Sequence, residues 1–225
     1  MKRIALVALL SLASLGGCTT NQTTGRSQFN AMSRDQEIAL GAEAKPGLVQ
    51  EMGGEVARED VKAYVKEVGM KLAASTEGDN PSLPWEFTLL DSDVINAFAL
   101  PGGKVFMSRG LATKMKNEAQ LASVLGHEVG HVTARHINDR MADSMWVSAA
   151  AGIASVLLED TTGAIGELAP QVVQLGGQSV LMRFNRKQEL EADSLGVRYM
   201  VKNDYDPTGA LGVICLLYTS DAADE

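Results

Sequence analysis

Residues 117–133, with the sequence NEAQLASVLGHEVGHVT, predict the central helix of the chain. Asn117 is a favourable N-cap residue, and Gln120 three positions later completes the pattern of a capping box. The apolar residues that follow recur at spacings of three and four, as on a helix with one buried face. We therefore expect an α-helix that begins near residue 118 and packs against the core.

This helix carries His127, Glu128 and His131 as an H-E-x-x-H motif. Four residues advance an α-helix by about 6 Å and slightly more than one turn, so both imidazoles lie on one face, as two ligands of one zinc ion require. Glu128 lies about 100° round the helix from His127, where it can take a proton from a water molecule at the metal. We expect Glu128 to be the catalytic base. A buried helix that carries these residues by chance is the weaker interpretation, because two of the only three histidines in the chain fall at ligand spacing around a glutamate.

A catalytic zinc needs a third protein ligand. We reject His136 as this third ligand, because on a continuous helix it lies five residues beyond His131 and is turned away from it. We expect His136 to be an imidazole near the C-terminal, negative end of the same helix.

A later helix supplies better candidates in Glu-Leu-Glu-Ala-Asp, residues 189–193. Asn185 and Gln188 form a second capping-box pattern at its start. Glu189 and Asp193 are four residues apart and share one face, so Glu189 suits the third zinc ligand and Asp193 an acceptor that orients a ligating histidine. Glu191 is expected to face elsewhere. Taken alone, such an acidic helix start is usually a solvated surface.

The remaining pattern indicates a single α+β domain that is mostly helical with a small twisted β-sheet. Helices are expected over residues 33–44 and 56–74, and alternation predicts a strand over 85–89. Two strands, 96–100 and 104–108, flank Pro101-Gly102-Gly103, which predicts a tight hairpin rather than a phosphate-binding loop. The Ala- and Gly-rich region 137–184 is expected to form one or two helices that line the cleft.

Three segments together resemble the HtpX-like and Oma-like zinc metallopeptidases, metallopeptidase family 48: HEVGH, ELEAD and NAFALPGGKVFMSRG (96–110). The resemblance covers roughly residues 28–213. It implies a gluzincin-like peptidase domain with one Zn²⁺ per chain and Glu189 as the third ligand. It also implies that four residues form an edge strand beside which an extended substrate lies: Asn96, Ala97, Phe98 and Ala99.

The N-terminus has the pattern of an export signal over residues 1–17, with Lys2 and Arg3 before an apolar run that is too short to span a bilayer. Leu15-Gly16-Gly17-Cys18 resembles the lipobox of bacterial lipoproteins, which implies a lipid on Cys18 and, with Thr19 next, an outer-membrane anchor facing the periplasm of a Gram-negative bacterium. An ordinary cleaved signal is the alternative. Residues 18–32 are expected to be a flexible tether, and residues 33–214 the peptidase domain.

Two further features bound the interpretation. A net charge of -8 argues against nucleic acid as a partner. The chain has two cysteines, Cys18 and Cys215, so no internal disulfide is expected if Cys18 carries lipid. The last eleven residues, CLLYTSDAADE (215–225), resemble a translated transposon sequencing adapter, so we expect them to be foreign to the protein. Authentic coding is therefore expected to end near Ile214, before a region in which members of the family place a residue that stabilises the transition state.

The function predicted from these residues is that of a zinc-dependent endopeptidase of the cell envelope. The lipobox and the segment 25–40 are most similar to the periplasmic lipoprotein branch of the family, which trims misassembled outer-membrane proteins. Unfolded or misassembled proteins are therefore the expected substrates. The alternatives are a periplasmic chaperone or assembly scaffold that rarely cuts, and, more weakly, a zinc hydrolase of some other amide.

Overall fold

A three-stranded sheet between helices forms the frame of the structure, a computed structural model that describes residues 18–157 and 184–213. The helices are α1 (Arg34–Glu51), α2 (Glu59–Ala74), α3 (Arg109–Ala112), α4 (Glu118–Thr133), α5 (His136–Leu157) and α6 (Arg186–Lys202). The strands are β1 (Cys18–Thr20), β2 (Ser27–Phe29), β3 (Glu86–Leu90), β4 (Ala97–Leu100) and β5 (Lys104–Ser108). This mixture of helices and small sheets agrees with the predicted α+β class.

The sheet has the strand order β3-β5-β4, so β4 lies at an edge within the described residues. β3 runs parallel to β5, and β4 pairs antiparallel with β5 across the Pro101-Gly102-Gly103 turn. Gly102 and Gly103 have φ angles of 75° and 86°, which glycine adopts readily. The predicted hairpin is therefore confirmed, although Asn96 lies just before the strand rather than in it.

The two faces of the sheet contact different helices. One face places Leu90, Phe98, Leu100 and Phe106 against apolar residues of α1. The other face contributes to the main core, which is shared with α2, α4 and α6. Alternation along β4 thus sends Phe98 to the α1 side and Ala99 to the α4 side.

Helix α1 begins as predicted but is longer than predicted. Ser33 and Gln36 form a complete capping box at its N-terminus. The helix continues past the predicted end near residue 44, through Pro46, to Glu51. Its buried Glu37, only 2% exposed, pairs with Arg34 and with Arg135 beyond α4.

The prediction of a flexible tether over residues 18–32 is wrong. β1 and β2 form an antiparallel hairpin in which Cys18 pairs with Phe29, and Cys18 is exposed. Asn21 donates a hydrogen bond through Nδ2 to the Thr133 carbonyl at the end of α4, 3.0 Å away. The segment is polar and lacks an apolar period, but it is held to the domain by hydrogen bonds and the buried residues Thr23 and Gln28.

Some predictions fall on residues that are not described. The signal segment 1–17, the larger part of the region 137–184 and the tail 215–225 lie outside the described residues. Apart from Phe184, the described part of that region belongs to helix α5, as far as Leu157. Among the described residues, no helix combines the length and the apolar character that crossing a bilayer requires.

Candidate active site

Helix α4 presents the H-E-x-x-H motif. The Asn117 side chain accepts a hydrogen bond from the Gln120 backbone nitrogen at 2.9 Å, as the predicted cap requires. The Gln120 side chain accepts from the Lys116 backbone nitrogen at 2.8 Å, one residue earlier than in a regular capping box. The helix runs to Thr133, so all three motif residues lie in its C-terminal half.

Helix α6 packs along α4 because both helices carry glycines where they meet. A β-carbon on Gly130 would lie 2.8 Å from the Ala192 carbonyl oxygen, and one on Gly196 would lie 2.9 Å from the His127 backbone nitrogen. Side chains at these positions would hold the helices apart. Because glycine allows the close approach, the first turns of α6 reach the histidines of α4.

The structure brings His127, His131 and Glu189 together. The two Nε2 atoms are 2.9 Å apart, and the Glu189 carboxylate lies 3.4 Å from His127 Nε2 and 4.0 Å from His131 Nε2. One ligand atom from each residue lies within 4.8 Å of the others. Two imidazole nitrogens and one carboxylate facing a common point are a donor set that fits a catalytic zinc ion.

Asp193 contacts His127 on the ring nitrogen opposite the ligand cluster. Its Oδ1 lies 2.8 Å from His127 Nδ1, so a proton on Nδ1 leaves Nε2 directed at the cluster. Burial lowers the pKa of His127, but hydrogen bonds with Asp193 and Glu189 outweigh it and raise the pKa to about 10 in the metal-free site. Metal binding must therefore displace a proton from this site.

Glu128 is buried, with 7% of its surface exposed. Burial raises the pKa of its carboxyl to about 7; the nearby His127 lowers it and Glu189 raises it further. A carboxyl with a pKa near 7 can both accept and return a proton at neutral pH.

The predicted environment of His136 is wrong, because the helix does not continue to it. Helix α4 ends at Thr133, and Arg135 takes a φ angle of 60° before α5 begins at His136. The imidazole of His136 is fully buried, and its Nδ1 lies 2.8 Å from Nδ1 of His131. That is the His131 nitrogen facing away from the ligand cluster, so His136 contacts the candidate site without joining the cluster.

Two further contacts near the histidines were not expected from the sequence. Glu191 accepts a hydrogen bond from His136, with 2.9 Å between its Oε2 and His136 Nε2, and faces away from the ligand atoms. Phe184 stacks on His131, with ring centroids 4.0 Å apart. No local pattern signals either contact, because each joins residues 53 or more positions apart in the chain.

The edge strand β4 reaches the histidines at its C-terminal end. Ala99 and Leu100 line a small cleft together with His131, and the Pro101-Gly102 turn also borders it. Ala97, Phe98 and Ala99 belong to β4, and Asn96 precedes it. Of the four residues predicted to contact an extended substrate, Ala99 lines this cleft with His131.

Comparison with known families gives one match over most of the chain. The model described as Peptidase family M48 matches residues 59–221. The range includes all the helices and strands from α2 onward and every candidate ligand. The match also includes residues 215–221, which belong to the segment expected to be adapter sequence. The end of authentic coding near Ile214 therefore stays a prediction.

Several curated proteins are similar in sequence. The beta-barrel assembly-enhancing protease of Escherichia coli (strain K12) is 33% identical over 150 residues, which cover 64% of this chain and 30% of that protein. The protein of the same name from Yersinia pestis is 31% identical over 81% of this chain and 38% of its own length. The mitochondrial metalloendopeptidase OMA1 of Schizosaccharomyces pombe is 32% identical over 83% of this chain and 53% of its own length. The chain thus spans between about a third and a half of the relatives that it matches.

Proposed function

Because this chain belongs to peptidase family M48, we propose that it is a zinc-dependent endopeptidase that hydrolyses peptide bonds of misfolded or misassembled envelope proteins. The observation that carries the proposal is the cluster of His127, His131 and Glu189, together with the buried carboxyl of Glu128, which interacts electrostatically with His127 and Glu189. Binding a polypeptide alone would not require a buried base next to three metal-ligating groups.

His127, His131 and Glu189 would hold one zinc ion per chain, in the gluzincin manner of two histidines from the motif and a glutamate from a later helix. When bound, zinc supplies Lewis-acid polarisation of a carbonyl and lowers the pKa of a water molecule to about 7. Asp193 holds His127 in the tautomer that presents Nε2 to the metal.

Glu128 is the proposed general base and acid. Its carboxyl, with a pKa near 7, accepts the proton of the attacking water and returns it to the leaving amine. Bulk water has little access to this carboxyl, because the Glu128 side chain is buried. Burial thus supplies the pKa that allows one group to serve both transfers.

Substrate binding is proposed at the free edge of β4. Among the described strands, β4 has only β5 as a neighbour, so its other edge offers backbone groups to an extended chain. Strand addition there recognises backbone rather than side chains, which suits an enzyme that must accept many unfolded sequences. Asn96, Ala97, Phe98 and Ala99 would supply this edge.

The substrate class and location rest on the relatives. Two of them are named as beta-barrel assembly-enhancing proteases, and a third is a mitochondrial metalloendopeptidase. We place this chain in the envelope of a Gram-negative bacterium, acting on outer-membrane β-barrel proteins that fail to assemble. The exposed Cys18 would carry the lipid that anchors it to the outer membrane, facing the periplasm.

The test uses an unfolded outer-membrane β-barrel protein as substrate, with the unsubstituted protein and its Glu128→Gln variant. A peptidase yields fragments only with the unsubstituted protein. The proposal fails if neither protein yields fragments while both suppress aggregation of the substrate, because that result describes a scaffold. Folded barrel protein in micelles is the control, and it should stay intact.

A further inference from the structure

The turn between α4 and α5 is held in a conformation that non-glycine residues rarely adopt. Arg135 has a φ angle of 60°, in the left-handed region. Its side chain is fixed from two sides, by Glu37 at 2.9 Å and by the Met32 carbonyl at 2.8 Å. Such a strained conformation persists where surrounding contacts enforce it, commonly next to a functional site. Here its consequence is that His136 turns back towards α4.

Both ring nitrogens of His136 have a partner in this position next to α4. The ring is 0% exposed, with Nδ1 at 2.8 Å from His131 Nδ1 and Nε2 at 2.9 Å from Glu191 Oε2. A buried imidazole with a partner on each nitrogen has one fixed orientation. The position and the tautomer of His136 are therefore coupled to those of His131.

We infer that His136 is a positioning residue for His131, which it holds in the tautomer that directs Nε2 to the proposed metal, and that Glu191 fixes His136 in turn. The inference rests on the proposed metal site. The assignment of protons follows from the geometry. His131 Nε2 faces the ligand cluster and needs a lone pair there, so its proton lies on Nδ1 and is donated to His136 Nδ1. His136 then carries its proton on Nε2 and donates it to Glu191.

This chain of contacts continues into the N-terminal hairpin. Arg26, just before β2, lies 3.3 Å from Glu191 Oε2 and 2.7 Å from Asp139 Oδ2, and it also donates to the Ala134 carbonyl at 3.4 Å. The guanidinium therefore contacts both the carboxylate that fixes His136 and the end of α4. Through these contacts Arg26 links the N-terminal hairpin to the carboxylate that fixes His136.

Two amide substitutions at His136 separate its two contacts. The Oδ1 atom of Asn replaces Nδ1 of His as an acceptor for His131, whereas the amide of Gln replaces Nε2 as a donor to Glu191. Zinc affinity of the full chain is measured by competition with a chromophoric chelator, for the unsubstituted protein and for His136→Asn, His136→Gln and His136→Ala. Thermal unfolding in EDTA, followed by circular dichroism, reports the stability of each metal-free protein.

The inference predicts that His136→Gln and His136→Ala bind zinc roughly 10- to 100-fold more weakly, as loss of an orienting partner does in other zinc sites, and that His136→Asn stays close to the unsubstituted protein. A merely structural role would lower the stability of both amide variants and weaken zinc binding equally. Equal affinities of His136→Asn and His136→Gln would therefore overturn the inference. If the unsubstituted protein binds no zinc, the proposed function falls as well; if only the variants fail to differ, the inference falls alone.

A measurement on the unsubstituted protein covers the case in which the variants do not fold. Nitrogen NMR of the zinc-loaded protein distinguishes protonated from unprotonated ring nitrogens. The inference predicts a proton on Nδ1 of His131 and on Nε2 of His136. A proton on Nδ1 of His136 would overturn it.

Discussion

Replacing Gly130 with Ala perturbs the spacing between α4 and α6, on which the candidate metal centre depends. The new β-carbon would lie 2.8 Å from the carbonyl oxygen and 3.1 Å from the Cα of Ala192, where ordinary contacts begin at 3.4 Å. Both neighbours are backbone atoms of a helix and cannot rotate away. Relief therefore requires the two helices to separate by roughly half an ångström, the size of the larger overlap.

The expected effect on the metal site follows from this displacement. Glu189 lies on α6 less than one turn before Ala192, so its carboxylate moves with the helix. Metal–ligand distances tolerate changes of about 0.2 Å, so we expect zinc affinity to fall about tenfold or more. Overpacking costs about 1–3 kcal/mol, against a gain of about 1 kcal/mol in helix propensity, so the free energy of unfolding falls by up to about 2 kcal/mol.

The assay compares Gly130→Ala with Gly47→Ala. Gly47 is an exposed glycine of α1, and a β-carbon there would have nothing within 4 Å. This control should gain up to about 1 kcal/mol from helix propensity and keep its zinc affinity. Zinc affinity is measured by chelator competition and stability by urea unfolding in EDTA. If Gly130→Ala behaves like Gly47→Ala in both measurements, the reasoning about helix spacing is refuted.

Two further predictions concern charged groups around the site. Burial lowers the pKa of His127, but hydrogen bonding, above all with Asp193, raises the pKa to about 10. The proton on His127 therefore stabilises the folded protein fully below the unfolded pKa of about 6.5, and this stabilisation is lost towards pH 10. The free energy of unfolding of the metal-free protein should therefore fall from pH 7 to 9, by at most about 1.4 kcal/mol per pH unit, and Asp193→Asn should flatten that slope in urea titrations; an equal slope in both proteins would contradict the assignment. Glu37→Gln should destabilise the protein by about 3 kcal/mol, because it leaves the largely buried Arg135 without its carboxylate. Glu59→Gln, at an exposed carboxylate that pairs with Lys62, should have a much smaller effect, and similar losses of stability in urea unfolding would refute the importance of the buried pair.

The sequence predicted those parts of the site that depend on local spacing. The four-residue separations of His127 from His131 and of Glu189 from Asp193 place each pair on one helix face, and the structure brings the two faces together. The Pro101-Gly102-Gly103 hairpin was predictable for the same reason, since glycine tolerates the φ angles of the turn. In each case, residues close in the chain decide the conformation.

The sequence did not predict the parts that depend on distant contacts. Arginine rarely adopts the left-handed conformation that ends α4, and Glu37, which enforces it, lies 98 residues earlier in the chain. The continuous helix expected as far as His136 was the reasonable local prediction. The hairpin of residues 18–32 was missed because hydrogen bonds such as that from Asn21 to Thr133 hold it, and these leave no hydrophobic period in the sequence.

The most direct test of the proposed zinc peptidase is zinc content, measured together with casein cleavage in the same preparations of the unsubstituted protein and its Glu128→Gln variant. We expect one zinc ion per chain in both proteins and cleavage by the unsubstituted protein alone, because Glu128 moves the proton and does not ligate the metal. Absence of zinc from both proteins would contradict the ligand assignment. Cleavage by Glu128→Gln at the unsubstituted rate would contradict the role of Glu128 as the base.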